Sequence, residues 1–213
     1  MEKILLNYNN QFIEFDRDKV ITPQIHYNTL CNIPSDINEH LPTLKKYAED
    51  CQSITEMGVR YGCSTWAFIE GKPKKLSCYD INYEYFKSSE EVIKEICDKY
   101  VIDFNFITAD SLKEDINPTD LLFIDTLHRY NQLYKELKKH SKNVNKWIIL
   151  HDTVLFANRD EDLYENVSDI LESEPCDKVG LINAINDFIS ETPNWVIKEQ
   201  YYNNNGLTIL EKI

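Results

Sequence analysis

The chain has 213 residues, 42% hydrophobic and 12% aromatic, which suits one compact domain with a full core and excludes a largely disordered chain. Its formal net charge is −13 and its pI about 4.8, so nucleic acid and anionic membrane surfaces are not expected as partners. No run of about 18 apolar residues occurs, so no membrane span is expected.

The N-terminal stretch MEKILLNYNNQF lacks the basic region, long apolar core and small-residue cleavage site of a secretory signal. The six cysteines, Cys31, Cys51, Cys63, Cys78, Cys97 and Cys176, form no C-x-x-C pair. Neither zinc nor a redox motif is indicated, and reduced thiols in a cytoplasmic protein are expected.

KILLNYNNQFIEF reads as two short strands joined at Asn9-Asn10, and the segment from there to about Pro34 reads as irregular. Leu41, Leu44, Tyr47 and Ala48 mark one helix face, with Pro42 in the first turn, where proline is tolerated. Strands and helices then alternate. SITEM is a strand and STWAFIEG begins a helix; KLSCYDI is a strand and SSEEVIKEICDKY a helix. DFNFITAD and the almost purely apolar DLLFID are strands, RYNQLYKELKKHSKNV is a helix, and KWIILHD is a buried strand. Residues 154–178 read as a polar, acidic loop or small helix placed to lie over a site. GLINAINDFISETP is an amphipathic helix, and NWVIKEQYY-NNNG-LTILEKI a hairpin turning at Asn203 to Gly206. The expected fold is α/β: a doubly wound, Rossmann-like, mostly parallel seven-stranded sheet with a C-terminal antiparallel hairpin.

SITEMGVRYGCSTWAFI holds two of the five glycines where the first strand of this alternation meets its helix. Ligands sit at the carboxyl ends of strands in such sheets. Gly58 and Gly62 let a ligand approach the backbone, the helix start offers free N–H groups, and Ser64 or Thr65 can contact it or cap the helix. The spacing is not G-x-G-x-x-G, and Glu56 argues against a pyrophosphate and for a ligand with positive charge. A plain tight turn is the competing reading. Asp80, ending the next strand, is placed to accept hydrogen bonds from a ribose diol. Asp110 and Ser111 end the third strand; they suit an adenine edge, or equally a helix cap.

In this order the residues resemble a class I S-adenosylmethionine (SAM)-dependent methyltransferase. Glu56, Gly58 and Gly62 match its first motif, Asp80 its second-strand acid and Asp110 its third-strand position; the closing hairpin is also typical. The resemblance covers about residues 41–213 and leaves 1–40 as an N-terminal segment, a substrate lid or oligomer contact. Phe123-Ile124-Asp125-x-x-His128-x-Tyr130 and Leu150-His151-Asp152-Thr153 look like the cephalosporin hydroxylase-like and macrolide-sugar O-methyltransferases, with Thr126 where that family often has glycine. The resemblance implies cofactor contacts from Glu56, Gly58, Gly62, Ser64, Asp80, Asp110, Ser111 and Asp125. It implies catalytic roles for Asp125, His128 and His151, a divalent metal on Asp125, Asp152 and His151, and a small acceptor such as a sugar or glycan hydroxyl.

If the two strands are neighbours, Asp125 and Asp152 end them about 5 Å apart. Two carboxylates that close need a proton or a cation between them, and magnesium fits. It would lower the pKa of an acceptor hydroxyl. A histidine beside Asp152 is a poorer magnesium ligand than an acid and suits transition metals better. His128 and His151 compete as general base. His26, His40 and His140 lie in no motif and read as surface or packing residues, the lysines of KELKKH as a solvated face, and Met57 as core. A nicotinamide-dependent oxidoreductase and a non-catalytic cofactor-binding module are the alternatives.

Overall fold

Leu121 and Phe123 point to one side of the central strand Thr119–Ile124, and Leu122 and Ile124 to the other, and all four are buried. A strand buried on both faces must lie between two layers of helices, which is the physical content of its apolar run. The computed structural model describes residues 3–8, 11–16, 22–162 and 176–213. In chain order the elements are β1 (Lys3–Tyr8), β2 (Gln11–Asp16), α1 (Pro23–Asn32), α2 (Leu41–Glu49), β3 (Ser53–Met57), α3 (Cys63–Glu70), β4 (Lys75–Asp80) and α4 (Lys87–Tyr100). Then come β5 (Asp103–Thr108), β6 (Thr119–Ile124), α5 (Tyr130–His140), β7 (Val144–His151), α6 (Leu181–Glu191), β8 (Trp195–Tyr201) and β9 (Leu207–Lys212).

Seven strands form one sheet in the order β5-β4-β3-β6-β7-β9-β8. The five from β3 to β7 are parallel; β9 runs antiparallel to β7, and β8 antiparallel to β9. This is the expected α/β doubly wound sheet with its closing hairpin. On one face Leu44, Trp66, Phe68, Ile93 and Ile96 from α2, α3 and α4 cover Ile54, Leu76 and Phe123. On the other, Leu133, Leu137, Ile185 and Phe188 from α5 and α6 cover Leu122, Ile148 and Leu210. Each such side chain taken from water contributes about 2 kcal/mol before entropy is counted. Among the described residues no helix is long and apolar enough to cross a membrane.

The main departure from the sequence expectation is α1, a helix where an irregular segment is expected. Pro23 sits in its first turn with φ already suited to it. Pro23, His26 and Leu30 form its buried stripe, and a stripe containing a histidine does not register as apolar periodicity. His26 stacks on Trp66 at 3.9 Å between ring centroids, and Tyr8 Oη bonds its Nδ1 at 2.9 Å. Leu6, Tyr8 and Phe15 of the β1–β2 hairpin join the same core. The expected turn at Asn9-Asn10 lies outside the described residues, as do residues 163–175 of the expected 154–178 loop.

A second tie joins the start of α2 to the β8–β9 turn. His40 Nε2–H donates to the carbonyls of Asn203 and Asn204 at 3.0 and 3.1 Å, and Asn204 Nδ2–H donates to the Ser35 carbonyl at 2.7 Å. His26, His40 and His140 are all buried packing residues, and Met57 is in the core.

Candidate active site

The glycine turn follows from how three strands end together. Beyond Met57 the Gly58 N–H bonds the Tyr79 carbonyl of β4 at 2.9 Å, and the Asp125 N–H bonds the Met57 carbonyl at 2.8 Å. Gly58 has φ +81°, and a Cβ there would lie 2.0 Å from the Asp125 carbonyl oxygen. The neighbouring backbone itself therefore requires glycine. Gly62, which starts α3, has φ +79°, but a Cβ there would meet nothing closer than 3.4 Å; only its dihedral asks for glycine.

Asp80 is at the predicted strand end. Its Oδ2 accepts from the N–H groups of Val59 and Arg60, both at 2.8 Å, and its Oδ1 from that of Asn82 at 2.8 Å. It pins the turn from the side. Glu56 is fully buried and its carboxylate faces α3. It accepts from Ser64 Oγ, from Thr65 Oγ1 at 2.7 Å and from Cys78 Sγ at 3.1 Å. Burial pushes the Glu56 carboxyl up to about 7, against the lowering effect of those hydrogen bonds. Glu56 and Ser64 therefore bond each other beside the turn.

At the end of β5, Asp110 Oδ1 accepts from the Leu112 N–H at 2.9 Å, a local cap. Ser111 points into a buried polar knot that the sequence reading does not contain. Glu136, on α5, accepts from Ser111 Oγ at 2.5 Å, Gln132 Nε2 at 2.7 Å and Thr126 Oγ1 at 2.9 Å. Burial raises its carboxyl to about 7. The solvated face expected for KELKKH is thus interrupted: Glu136 is fully buried. The available signal was an acid on the stripe of Leu133, Leu137 and His140, at helical spacing.

The strand-end acids meet as expected, because β6 and β7 are parallel neighbours with Ile124 opposite Leu150. His128 lies in the loop before α5 rather than on the helix. Its Nε2 is 3.2 Å from Asp125 Oδ1 and 3.0 Å from Asp152 Oδ2. Its Nδ1–H donates to Glu161 Oε2 at 2.8 Å, and Phe156 stacks on the ring at 4.9 Å. Burial works against a charged His128, but hydrogen bonds to Asp125, Asp152 and Glu161 outweigh it and raise its pKa well above the usual value.

His151 lies beside the same two acids, its Nδ1 3.6 Å from Asp152 Oδ2. Its Nε2–H donates to the Asp36 carbonyl at 3.1 Å, and its Nδ1 bonds Asp125 Oδ1 at 3.2 Å. With both nitrogens engaged it serves as a charged partner for Asp125; burial opposes this, yet Asp125 lifts it to about 9. Burial likewise disfavours an ionised Asp125, and the charge of His151 with the hydrogen bond from His128 holds it well below the usual carboxylate range. Asp125, His128 and Asp152 bring ligand atoms within 4.8 Å of one another. Glu161 was hidden from sequence reasoning: it stands in a polar stretch with no motif, and only the fold brings it to His128.

No protein-family model matches the sequence, and no curated protein matches it. Solved structures do. An O-methyltransferase from Bacillus cereus in complex with SAH is 16% identical, with a TM-score of 0.60 over 92% of this chain and 90% of that one. The O-methyltransferase TomG from Streptomyces achromogenes, in complex with SAM, is 13% identical at TM-score 0.58 over 93% and 90%. The SAH-bound methyltransferase PaMTH1 from Podospora anserina is 14% identical at TM-score 0.53 over 95% and 99%. The chain has the class I SAM-dependent methyltransferase fold. In that fold the turn after β3 and the acid ending β4 lie beside the ends of β6 and β7, and here the Gly58 and Asp125 backbones touch.

Proposed function

We propose that the chain is a SAM-dependent O-methyltransferase acting on a hydroxyl of a small polyol, such as a sugar or glycan. The observation that carries this reading is the contact of two features: the glycine turn framed by Asp80, and the Asp125–His128–Asp152 cluster directly beside it. A cofactor on the first has its methyl group next to the second. Gly58, Gly62, Asp80 and Asp110 line the cofactor side; Glu56, Ser64 and Ser111 support it from beneath.

In the reaction the acceptor oxygen bonds the methyl carbon as the carbon–sulfur bond breaks, and the hydroxyl proton passes to the cluster. The products are a methyl ether and S-adenosylhomocysteine. Most of the rate comes from holding oxygen, carbon and sulfur in line. Two carboxylates and an imidazole with a spare buried oxygen suit a divalent cation, which would bind an acceptor oxygen and lower its pKa. Residues 35–40 form part of the acceptor side, since the Asp36 carbonyl holds His151; this supports a lid role for the N-terminal segment.

Calorimetry with SAM and with S-adenosylhomocysteine tests the reading. Micromolar binding of both is expected, and binding of neither overturns it. A screen of neutral and deoxy sugars, scored for methyl transfer with and without a chelator, tests the acceptor and the cation.

A further inference from the structure

One nitrogen of His128 faces both strand-end acids, at 3.2 and 3.0 Å, a little closer to the pair than His151 Nδ1 at 3.2 and 3.6 Å. Donor atoms that share an ion through bonds of about 2.1 Å sit about 3 Å apart, the spacing seen here. Hydrogen bonds have that spacing too, so distance alone decides nothing. Asp152 decides it. The residue is 6% exposed, and its Oδ1 is buried with no hydrogen-bond partner among the described residues. A buried carboxylate oxygen without a partner is costly, and a cation on this cluster gives it one.

The second observation is how His128 is held. Glu161 Oε2 accepts from the ring Nδ1–H at 2.8 Å and from the His128 backbone N–H at 3.1 Å. The Glu161 N–H returns to the His128 carbonyl at 2.9 Å. The ring proton is therefore fixed on Nδ1, Phe156 blocks rotation from the side, and Nε2 is the atom presented to the acids. A carboxylate behind a histidine in this way orients it as a metal ligand and raises its basicity. His151 is less well placed: its Nδ1 lies 3.6 Å from Asp152 Oδ2, against 3.0 Å for His128 Nε2, and its Nε2 is held by the Asp36 carbonyl rather than by a carboxylate.

We propose that Asp125, His128 and Asp152 form a cation site with His128 Nε2 as a ligand, that Glu161 is its positioning residue, and that the site selects a first-row transition ion over magnesium. Magnesium takes oxygen ligands and waters, whereas an imidazole favours manganese, cobalt or zinc. The proposal rests on the methyltransferase reading for what the ion does, and not for whether it binds.

The test is calorimetry of the full chain with MnCl2, CoCl2 and MgCl2, without cofactor. One ion per chain is expected, with Co2+ at least tenfold tighter than Mg2+. Pulsed electron paramagnetic resonance of the Mn2+ form should show a directly bound nitrogen, lost in His128→Ala. Glu161→Gln keeps an acceptor and should weaken Mn2+ about tenfold; Glu161→Ala should weaken it about 100-fold, with an unchanged circular dichroism spectrum. Equal affinity for Co2+ and Mg2+, no nitrogen signal in the wild-type chain, or unchanged Mn2+ affinity in Glu161→Ala each overturns the proposal. If His128→Ala does not fold, the wild-type nitrogen signal decides. S-adenosylhomocysteine titrated into the same samples separates the two readings: its failure to bind removes the methyltransferase assignment and leaves the ion measurements standing.

Discussion

Beside the glycine turn, the carboxylates are satisfied from within. Asp80 takes three backbone N–H groups, and Glu56 takes two hydroxyls and a thiol. At the ends of β6 and β7, three carboxylates crowd two imidazoles, and Asp152 Oδ1 has no hydrogen-bond partner among the described residues. The first region is a shape, complete before any ligand arrives. The second is a concentration of charge, complete only with another species. Substitutions in the first should therefore cost folding, and those in the second chemistry.

The largest expected effect is at Gly58. Gly58→Ala places a Cβ 2.0 Å from backbone that is itself fixed by the sheet, at φ +81°. A loss of at least about 3 kcal/mol in urea unfolding is expected, together with loss of cofactor binding. A variant of wild-type stability would break the comparison at its root. Next is Asp152→Asn, expected to lower methyl transfer about 100-fold while leaving stability in urea unfolding within about 1 kcal/mol of wild type, because His128 keeps Asp125 and Glu161 as partners and Asp152 Oδ1 has none among the described residues. Equal loss of stability and turnover would merge the two regions into one.

Much of this contrast was legible in sequence. The central strands β3, β4, β6 and β7 announce themselves because strands buried on both faces must be apolar. Asp80, Asp125 and Asp152 are readable because an acid ending such a strand has few structural reasons to be there. Helix α1 was not, since its buried stripe includes His26 and a proline. Glu161 was not, because its partner is 33 residues away, beyond α5 and β7. Likewise the hydrogen bond that holds His151 comes from the Asp36 carbonyl, which no pattern links to β7.

Glu136 offers a third, smaller test, since it is a satisfied acid like Glu56 but lies under the Asp110–Ser111 end. Its folded carboxyl, at about 7, lies above the ordinary 4.5. The stability it contributes is therefore full below pH about 4.5 and is lost as pH rises through about 7. Glu136→Gln keeps the acceptor for Ser111 and Gln132 and removes that loss. At pH 8 it should gain between about 1 and 3 kcal/mol in urea unfolding, and at pH 4.5 almost nothing. A gain independent of pH would show that the carboxyl is not the titrating group. The smallest effect is Gly62→Ala, expected to cost about 1 kcal/mol, because its dihedral and not its surroundings calls for glycine. A cost equal to that at Gly58 would mean that backbone conformation, rather than close approach, governs the turn.

The tie between Ser35, His40 and the Asn203–Asn204 turn has a consequence for how the molecule comes into being. The wall beside His151 is closed by residues more than 160 positions apart, and β9, between β7 and β8, is the last strand of this sheet to be made. A nascent chain stopped before residue 203 has its glycine turn and both strand-end acids but lacks this closure. This wall is therefore among the last parts of the sheet to form, and contacts of such sequence separation are slow to find each other.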